Sequence, residues 1–202
     1  MATTTVTGLF AKYVQARDVV RDLESEGIRS EDISVVANNA DDEYTPPATG
    51  PMAESSGAGT GAGVGAVGGG AVGLLTGLGI MAIPGVGPVV AAGWLAATAL
   101  GAVAGAAVGG VAGGLTDALV SSGVNEAHAP VYSEGVRRGG ALVVVKTDDT
   151  RASAVQAILD RHDQRDIAEA RANYEETGWG TFDPNAAPWT SDQIRDERNR
   201  II

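Results

Sequence analysis

The chain begins with three segments that differ in the spacing of their apolar residues. Residues 5–11 form a short apolar run, residues 15–27 repeat apolar side chains at a spacing of three and four, and residues 33–37 are apolar again. Short apolar runs are typical of strands, whereas a spacing of three and four is typical of an amphipathic helix. This part of the chain therefore predicts a strand, a helix and a second strand.

A similar order of elements recurs later in the chain. Residues 125–138 predict a helix, 141–147 the clearest strand, 151–163 a helix and 166–170 a last strand. Two such halves close most simply into a ferredoxin-like fold, an α+β arrangement with a four-stranded antiparallel sheet and two helices on one face. Beyond them, Thr190 or Ser191 is expected to cap a short charged helix over residues 192–200.

The two halves are separated by a glycine-rich insert. Residues 55–116 contain no charged side chain. Glycines recur there at a four-residue period, with Ala97 in one of the places, and small residues at that spacing let two helices approach closely. The sequence predicts a helix-packing surface made of Gly57, Gly61, Gly65, Gly69, Gly73, Gly77, Gly93, Gly101, Gly105, Gly109 and Gly113.

The insert is interrupted at residues 83–88, where two prolines and two glycines cannot continue a helix. We therefore expect a helical hairpin whose turn contains Pro84, Gly85, Gly87 and Pro88, with arms over residues 57–82 and 89–119. Either arm is long enough to cross a bilayer. The expected domains are 1–47, a linker over 48–56, the hairpin over 57–121, the second half over 122–176 and a tail over 177–202.

Charge and composition argue against several classes of function. The net charge of −11 argues against nucleic-acid binding, which needs a basic face, and the absence of cysteine excludes thiolate metal sites. His162 has acidic neighbours, but a histidine beside carboxylates at a helix end is common without catalysis, and His128 is interpreted in the same way. We expect no catalytic residue, no cofactor and no metal, and the amino terminus does not have the pattern of a signal peptide.

Three stretches resemble a known family. Residues 6–10 (VTGLF), 22–28 (DLESEGI) with 31–36 (EDISVV), and 132–143 (YSEGVRRGGALV) resemble the general stress protein family of the heat-induced YflT type, in its bacterial branch that contains glycine zippers. The resemblance covers most of residues 3–180. It implies a bacterial stress-response protein and carries over no catalytic residue.

Together these features predict a non-enzymatic stress-response protein that associates with membrane lipid and self-assembles as a homo-oligomer through a glycine-zipper hairpin. Its expected place is the inner membrane, with the polar domain facing the cytoplasm. The alternatives are a soluble cytoplasmic homo-oligomer built on the same hairpin, or a ligand-sensing ferredoxin-like domain. The tail around Trp179 and Trp189 packs on its own domain, binds a protein partner, anchors at a membrane interface or is disordered.

Overall fold

The computed structural model describes residues 3–41, 79–96, 98 and 114–201. Its strands are β1 (Thr3–Phe10), β2 (Ile33–Asn38), β3 (Gly79–Ile83), β4 (Gly87–Ala92) and β5 (Ala141–Asp148). Its helices are α1 (Tyr13–Ser25), α2 (Leu115–Ser121), α3 (Ala129–Arg137), α4 (Asp149–Arg161), α5 (Ile167–Glu176) and α6 (Ser191–Ile201), with a 3-10 turn at Ser30–Asp32. The protein is therefore of mixed α+β class, as predicted.

All five strands belong to one antiparallel sheet with the order β1-β5-β2-β4-β3. Strand β5 is central: Val145 pairs with Val6 of β1 on one side and with Ile33 of β2 on the other. Residues 141–145 are apolar throughout and fully buried. A continuous apolar run of this kind is what a strand covered on both faces requires.

One face of the sheet is covered by α1 and α4. Both helices contribute a stripe of aliphatic residues, including Val19, Leu23 and Leu159, that packs on Phe10 and Val143. These two helices were expected to share a face, because two halves of this kind close most simply into a sheet with both helices on one side.

The opposite face carries a second helical layer. Helices α2 and α3 place Leu119 and Val136 against Leu142 and Val144 of β5, and Ile83 of the β3–β4 hairpin joins the same cluster. The sheet is thus sandwiched between helices, and the hairpin is part of the second hydrophobic core.

Two sequence predictions about regular structure are wrong. The expected strand over residues 166–170 belongs to helix α5, whose Asp166 cap accepts hydrogen bonds from the backbone of Ala168 and Glu169 and whose Ala170 and Tyr174 are buried four residues apart. Within the described ranges the sheet has five strands in place of the expected four, because β3 and β4 join it and residues 166–170 do not.

The expected helical hairpin is also wrong where the structure describes it. Residues 79–83 and 87–92 are strands paired with each other, and β4 is also paired with β2. Helix α2 begins only at Leu115, after Gly114 in extended conformation, so no helix runs continuously from residue 89 to 119. The other parts of the two predicted arms lie outside the described residues.

Candidate functional site

The predicted turn residues do form a turn, but between two strands. The backbone N–H of Val86 donates to the carbonyl of Ile83 at 3.1 Å, and Gly85 has a φ of 74°. Proline at the second position and a glycine with positive φ at the third are the features of a type II turn. Gly87, with a φ of 102°, and Pro88 then begin β4.

Gly93 is not a helix-packing residue. Its φ is 89°, and a side chain there would press against the Ile33 carbonyl and the side chain of Ser34. It lets the chain leave β4 close to β2 and start a helical turn at residues 94–96. The other glycines predicted to pack helices lie outside the described residues: Gly57, Gly61, Gly65, Gly69, Gly73, Gly77, Gly101, Gly105, Gly109 and Gly113.

The sheet fixes where the glycine-rich stretches begin and end. Ala92 of β4 pairs with Val35 of β2, and Gly79 of β3 pairs with Ala91, so the chain on both sides of residues 42–78 belongs to one sheet. Leu95 and Leu115 lie in the same hydrophobic cluster, which places both sides of residues 99–113 on the same body. Among the helices of the described ranges, none combines the length and hydropathy that a bilayer span requires.

The tail packs on the tip of the β3–β4 hairpin. A Cβ atom on Gly85 would lie 2.8 Å from the carbonyl oxygen of Asp183, and one on Gly87 would lie 2.9 Å from Pro188. Phe182 is buried in the cluster that contains Ile83. Of the interpretations of the tail, the structure therefore shows packing on its own domain.

A buried arginine joins the tail to α3. The Arg138 guanidinium donates to Glu134 at 2.7 Å, to Glu197 of α6 at 3.1 Å and to the Thr177 hydroxyl at 3.1 Å. The side chains of the arginine and both glutamates are at most 6% exposed. A guanidinium has five N–H donors, and this geometry uses donors on all three of its nitrogens at once.

Aromatic rings enclose the same guanidinium. Its central carbon lies 4.3 Å from the ring centre of Tyr174 and 4.8 Å from that of Trp189. Burial raises the pKa of Tyr174, although the nearby cations Arg165 and Arg138 oppose the shift. Trp179 contacts Tyr174 edge to face at 5.9 Å, so both tryptophans of the tail belong to this cluster.

The tail also contacts Ala40 and Asp41, which directly precede residues 42–78. Arg198 forms an ion pair with Asp41 and donates to the Gly139 carbonyl at 3.0 Å, and the Ser191 hydroxyl donates to the Ala40 carbonyl at 2.6 Å. Residues from α6 therefore hold the last described residues before the glycine-rich stretch.

The two histidines occupy helix ends. His162 is the C-cap of α4, with its Nε2 atom 2.9 Å from Asp22 of α1, and His128 is the N-cap of α3. Asp166, expected near His162, caps α5 instead. Within the ranges that the structure covers, no group of three acidic or histidine side chains is placed to hold a metal ion.

The sequence indicated neither the Arg138 cluster nor the contacts at Asp41. The side chains of Arg137 and Arg138 lie against α3 and the tail, where Arg137 donates to the Ala187 carbonyl at 3.1 Å. In comparisons with known proteins, no family model, no curated protein and no solved structure matches this chain.

Proposed function

We propose that this is a non-enzymatic bacterial stress-response protein that self-associates through its glycine-laddered stretches. The observation that carries the proposal is the β3–β4 hairpin: together with the cluster that contains Leu95 and Leu115, it ties the flanks of two glycine-rich stretches, residues 42–78 and 99–113, to one folded body. The stress-response assignment is supported by the family resemblance of residues 3–180.

Self-association follows from what the two stretches offer to a second copy. Residues 55–78 and 99–113 contain no charged side chain, and their glycines at a four-residue period permit close backbone contact. Next to them, β3 is an edge strand on which Ile80 is 50% exposed. An uncharged stretch beside an open apolar edge favours contact with another copy over contact with water.

Membrane association is part of the proposal in a modified form. Both flanks of residues 42–78 belong to one sheet, and these 37 residues are too few for two spans of about 20 residues each. A hairpin that turns at Pro84 and crosses the bilayer with two arms is therefore not proposed. We place the protein at the cytoplasmic side of the inner membrane, or in a soluble cytoplasmic homo-oligomer.

Sedimentation velocity of a Gly69→Leu, Gly105→Leu variant tests self-association. Leucine favours an isolated helix but separates helices that glycine lets touch, so a smaller assembly with unchanged unfolding of the sheet is expected. Gly180→Leu is the matched control, because no atom lies within 4 Å of a Cβ placed there. An assembly of unchanged size in the double variant would refute the role of the glycine ladder.

Vesicle flotation tests lipid contact separately. Wild-type protein is expected to float with phosphatidylglycerol-containing vesicles and to be released by carbonate, as a surface-bound protein is. Protein that carbonate does not release would contradict binding at the membrane surface, and no flotation at all would leave the soluble homo-oligomer.

We further infer that β1, α1, β2, β5 and α4 are a modified ferredoxin-like core. The sheet order β1-β5-β2 with two helices on one face supports this, and β4 and β3 extend the sheet beyond β2. A ligand-sensing role for this core is the second candidate function, favoured by a cationic cavity beside α1.

A further inference from the structure

A cavity of about 340 Å³ opens beside the start of α1. Its wall is formed by Ala11, Lys12, Gln15, Arg165 and Arg198, which come from the β1–α1 connection, α1, the α4–α5 connection and α6. Every charged side chain in this wall is cationic, although the chain as a whole has a net charge of −11. Separate elements therefore concentrate positive charge in one concave place.

The backbone around the cavity is held in position. The N–H of Arg165 donates to the Leu9 carbonyl at 2.7 Å, which ties the α4–α5 connection to β1. The Gln15 side chain accepts from the N–H of Lys12 at 3.1 Å and reaches the His162 carbonyl at 3.5 Å. The cationic groups are thus presented from a fixed frame, which lowers the entropic cost of binding.

Two of the three cationic side chains in the wall are not neutralised by a carboxylate of the described ranges, so they can bind an anionic ligand. Arg198 is paired with Asp41, but Lys12 and Arg165 form no ion pair with any carboxylate in the described ranges. The neighbouring carboxylates are engaged elsewhere: Asp166 caps α5, and Glu197 binds Arg138. Two like charges facing one cavity attract an anion of opposite charge.

The start of α1 adds to this potential. Its N-cap is Lys12, whose ammonium has no acceptor for the first-turn N–H groups, and the first turn contains no acidic residue. Unsatisfied N–H groups at a helix start carry partial positive charge. The helix end reinforces the side-chain cluster and is not the basis of the inference.

We propose that this cavity binds the phosphate group of a small molecule or of a lipid headgroup. A phosphate dianion matches the two available charges, with Arg165 offering its planar fork and Lys12 a point charge. The volume lies at the lower end of the range for small-molecule sites, which suits a small phosphate ester. This inference gives a ligand class to the ligand-sensing candidate and does not depend on self-association.

Isothermal titration with inorganic pyrophosphate tests the proposal, with sodium chloride at matched ionic strength as the reference. Saturable binding is expected for the wild type. Arg165→Met and Lys12→Met are each expected to weaken it roughly tenfold or more, because each removes a charge-assisted hydrogen bond. Arg29→Met is the matched control, since Arg29 is 69% exposed, is paired with Asp32 and does not line the cavity.

A vesicle-flotation experiment distinguishes a lipid headgroup from a soluble phosphate ester as the ligand. Phosphatidylcholine vesicles with and without phosphatidic acid are floated with wild-type protein and with Arg165→Met. Phosphatidic-acid-dependent flotation that Arg165→Met abolishes identifies a lipid headgroup, whereas pyrophosphate binding without it identifies a soluble ester.

Absence of saturable binding in both arms, or equal binding by wild type and both cavity variants, overturns the proposal. Thermal unfolding of each variant confirms that lost binding is not lost folding, and Lys12→Met keeps the test valid if Arg165→Met is unstable, because Lys12 is exposed. Sedimentation of the same samples reports self-association, so failure of phosphate binding with intact assembly refutes this inference alone.

Discussion

Replacing Arg138 by methionine should destabilise the protein strongly. The substitution removes three hydrogen bonds, to Glu134, Glu197 and Thr177, and takes one of two arginine partners from each of two buried carboxylates. Removing one member of a buried ion pair typically costs about 3–5 kcal/mol, because an uncompensated charge remains. Each glutamate keeps a second arginine nearby, Arg137 at 3.4 Å and Arg200 at 2.9 Å. We therefore expect a loss of about 3 kcal/mol in the free energy of unfolding, at the lower end of that range.

Urea denaturation and thermal unfolding measure this loss. For a protein of this size, about 3 kcal/mol corresponds to a decrease of roughly 6–12 °C in the unfolding midpoint. Arg29→Met serves as the control, because its ion pair with Asp32 is solvent-exposed and is expected to contribute less than about 1 kcal/mol. Trp189 lies 4.8 Å from the Arg138 guanidinium, so tryptophan fluorescence reports whether the tail leaves its place.

The origin of the loss can be separated from simple loss of packing. If an uncompensated charge causes it, adding Glu134→Gln to Arg138→Met should recover part of the stability, because the buried carboxylate is removed as well. If lost contacts cause it, the second substitution should make the protein less stable still. A loss below about 1 kcal/mol for Arg138→Met, or additive losses in the double variant, would refute the role assigned to the cluster.

Three further outcomes are expected. Burial, with a contribution from Asp166, raises the pKa of Tyr132 to about 12, so the folded state keeps its proton where the unfolded state has lost it. Unfolding free energy should therefore fall by about 2 kcal/mol between pH 10 and pH 12, and Tyr132→Phe should remove this part of the dependence in denaturation measured across that range. Gly93→Ala should cost at least about 2 kcal/mol, because its φ is 89° and a methyl group would meet the Ile33 carbonyl, whereas Gly180→Ala should change the urea midpoint little. Ile80→Lys should change stability by less than about 0.5 kcal/mol but reduce light scattering on storage, since a charge on an edge strand opposes pairing with another copy.

Strong local periodicity allowed the central elements to be predicted. Strands β1, β2 and β5 and helices α1 and α4 were all expected within a few residues of their observed bounds. The missed helix α5 also had a local signal: Asp166 followed three residues later by Glu169 is a pattern of helix starts. The apolar residues within 166–170 are compatible with a short strand, but the capping pattern indicates the helix that the structure shows.

The four-residue glycine period predicts a helix up to residue 82, whereas the structure has the β3–β4 hairpin from Gly79 onwards. The four-residue ladder ends at Gly77, and residues 79–83 that follow alternate in exposure, as a strand does. Pro84-Gly85 between two apolar runs is itself a turn signal, and either a strand pair or a helix pair satisfies it. The partner strand β2 decides between them, and it lies more than forty residues earlier in the chain.

Only the Glu134–Arg138 pair of this cluster had a local signal, since the two residues are four apart on a predicted helix, and the rest of the cluster had none. Glu197 is separated from Arg138 by 59 residues, and an arginine pair next to glycines is most often solvent-exposed. Only the packing of α6 over Gly139 brings the two charges together, because a side chain on Gly139 would collide with Ile194. The same holds for the cationic cavity, whose side chains come from positions spread between Lys12 and Arg198.

Pairing of β4 with β2 has to overcome the entropy of closing the chain between Asn38 and Gly79. For about 40 residues the length-dependent part of this cost is about 3 kcal/mol. Four consecutive apolar residues of β4, from Val89 to Ala92, are at most 4% exposed, and burying one valine side chain contributes about 1.5–3 kcal/mol. The burial of Val89 and Val90 is therefore at least as large as the length-dependent part of the closure cost. The hairpin is thus held by the sheet itself, so a change in the glycine-rich stretches can alter assembly without removing β3 and β4 from the fold.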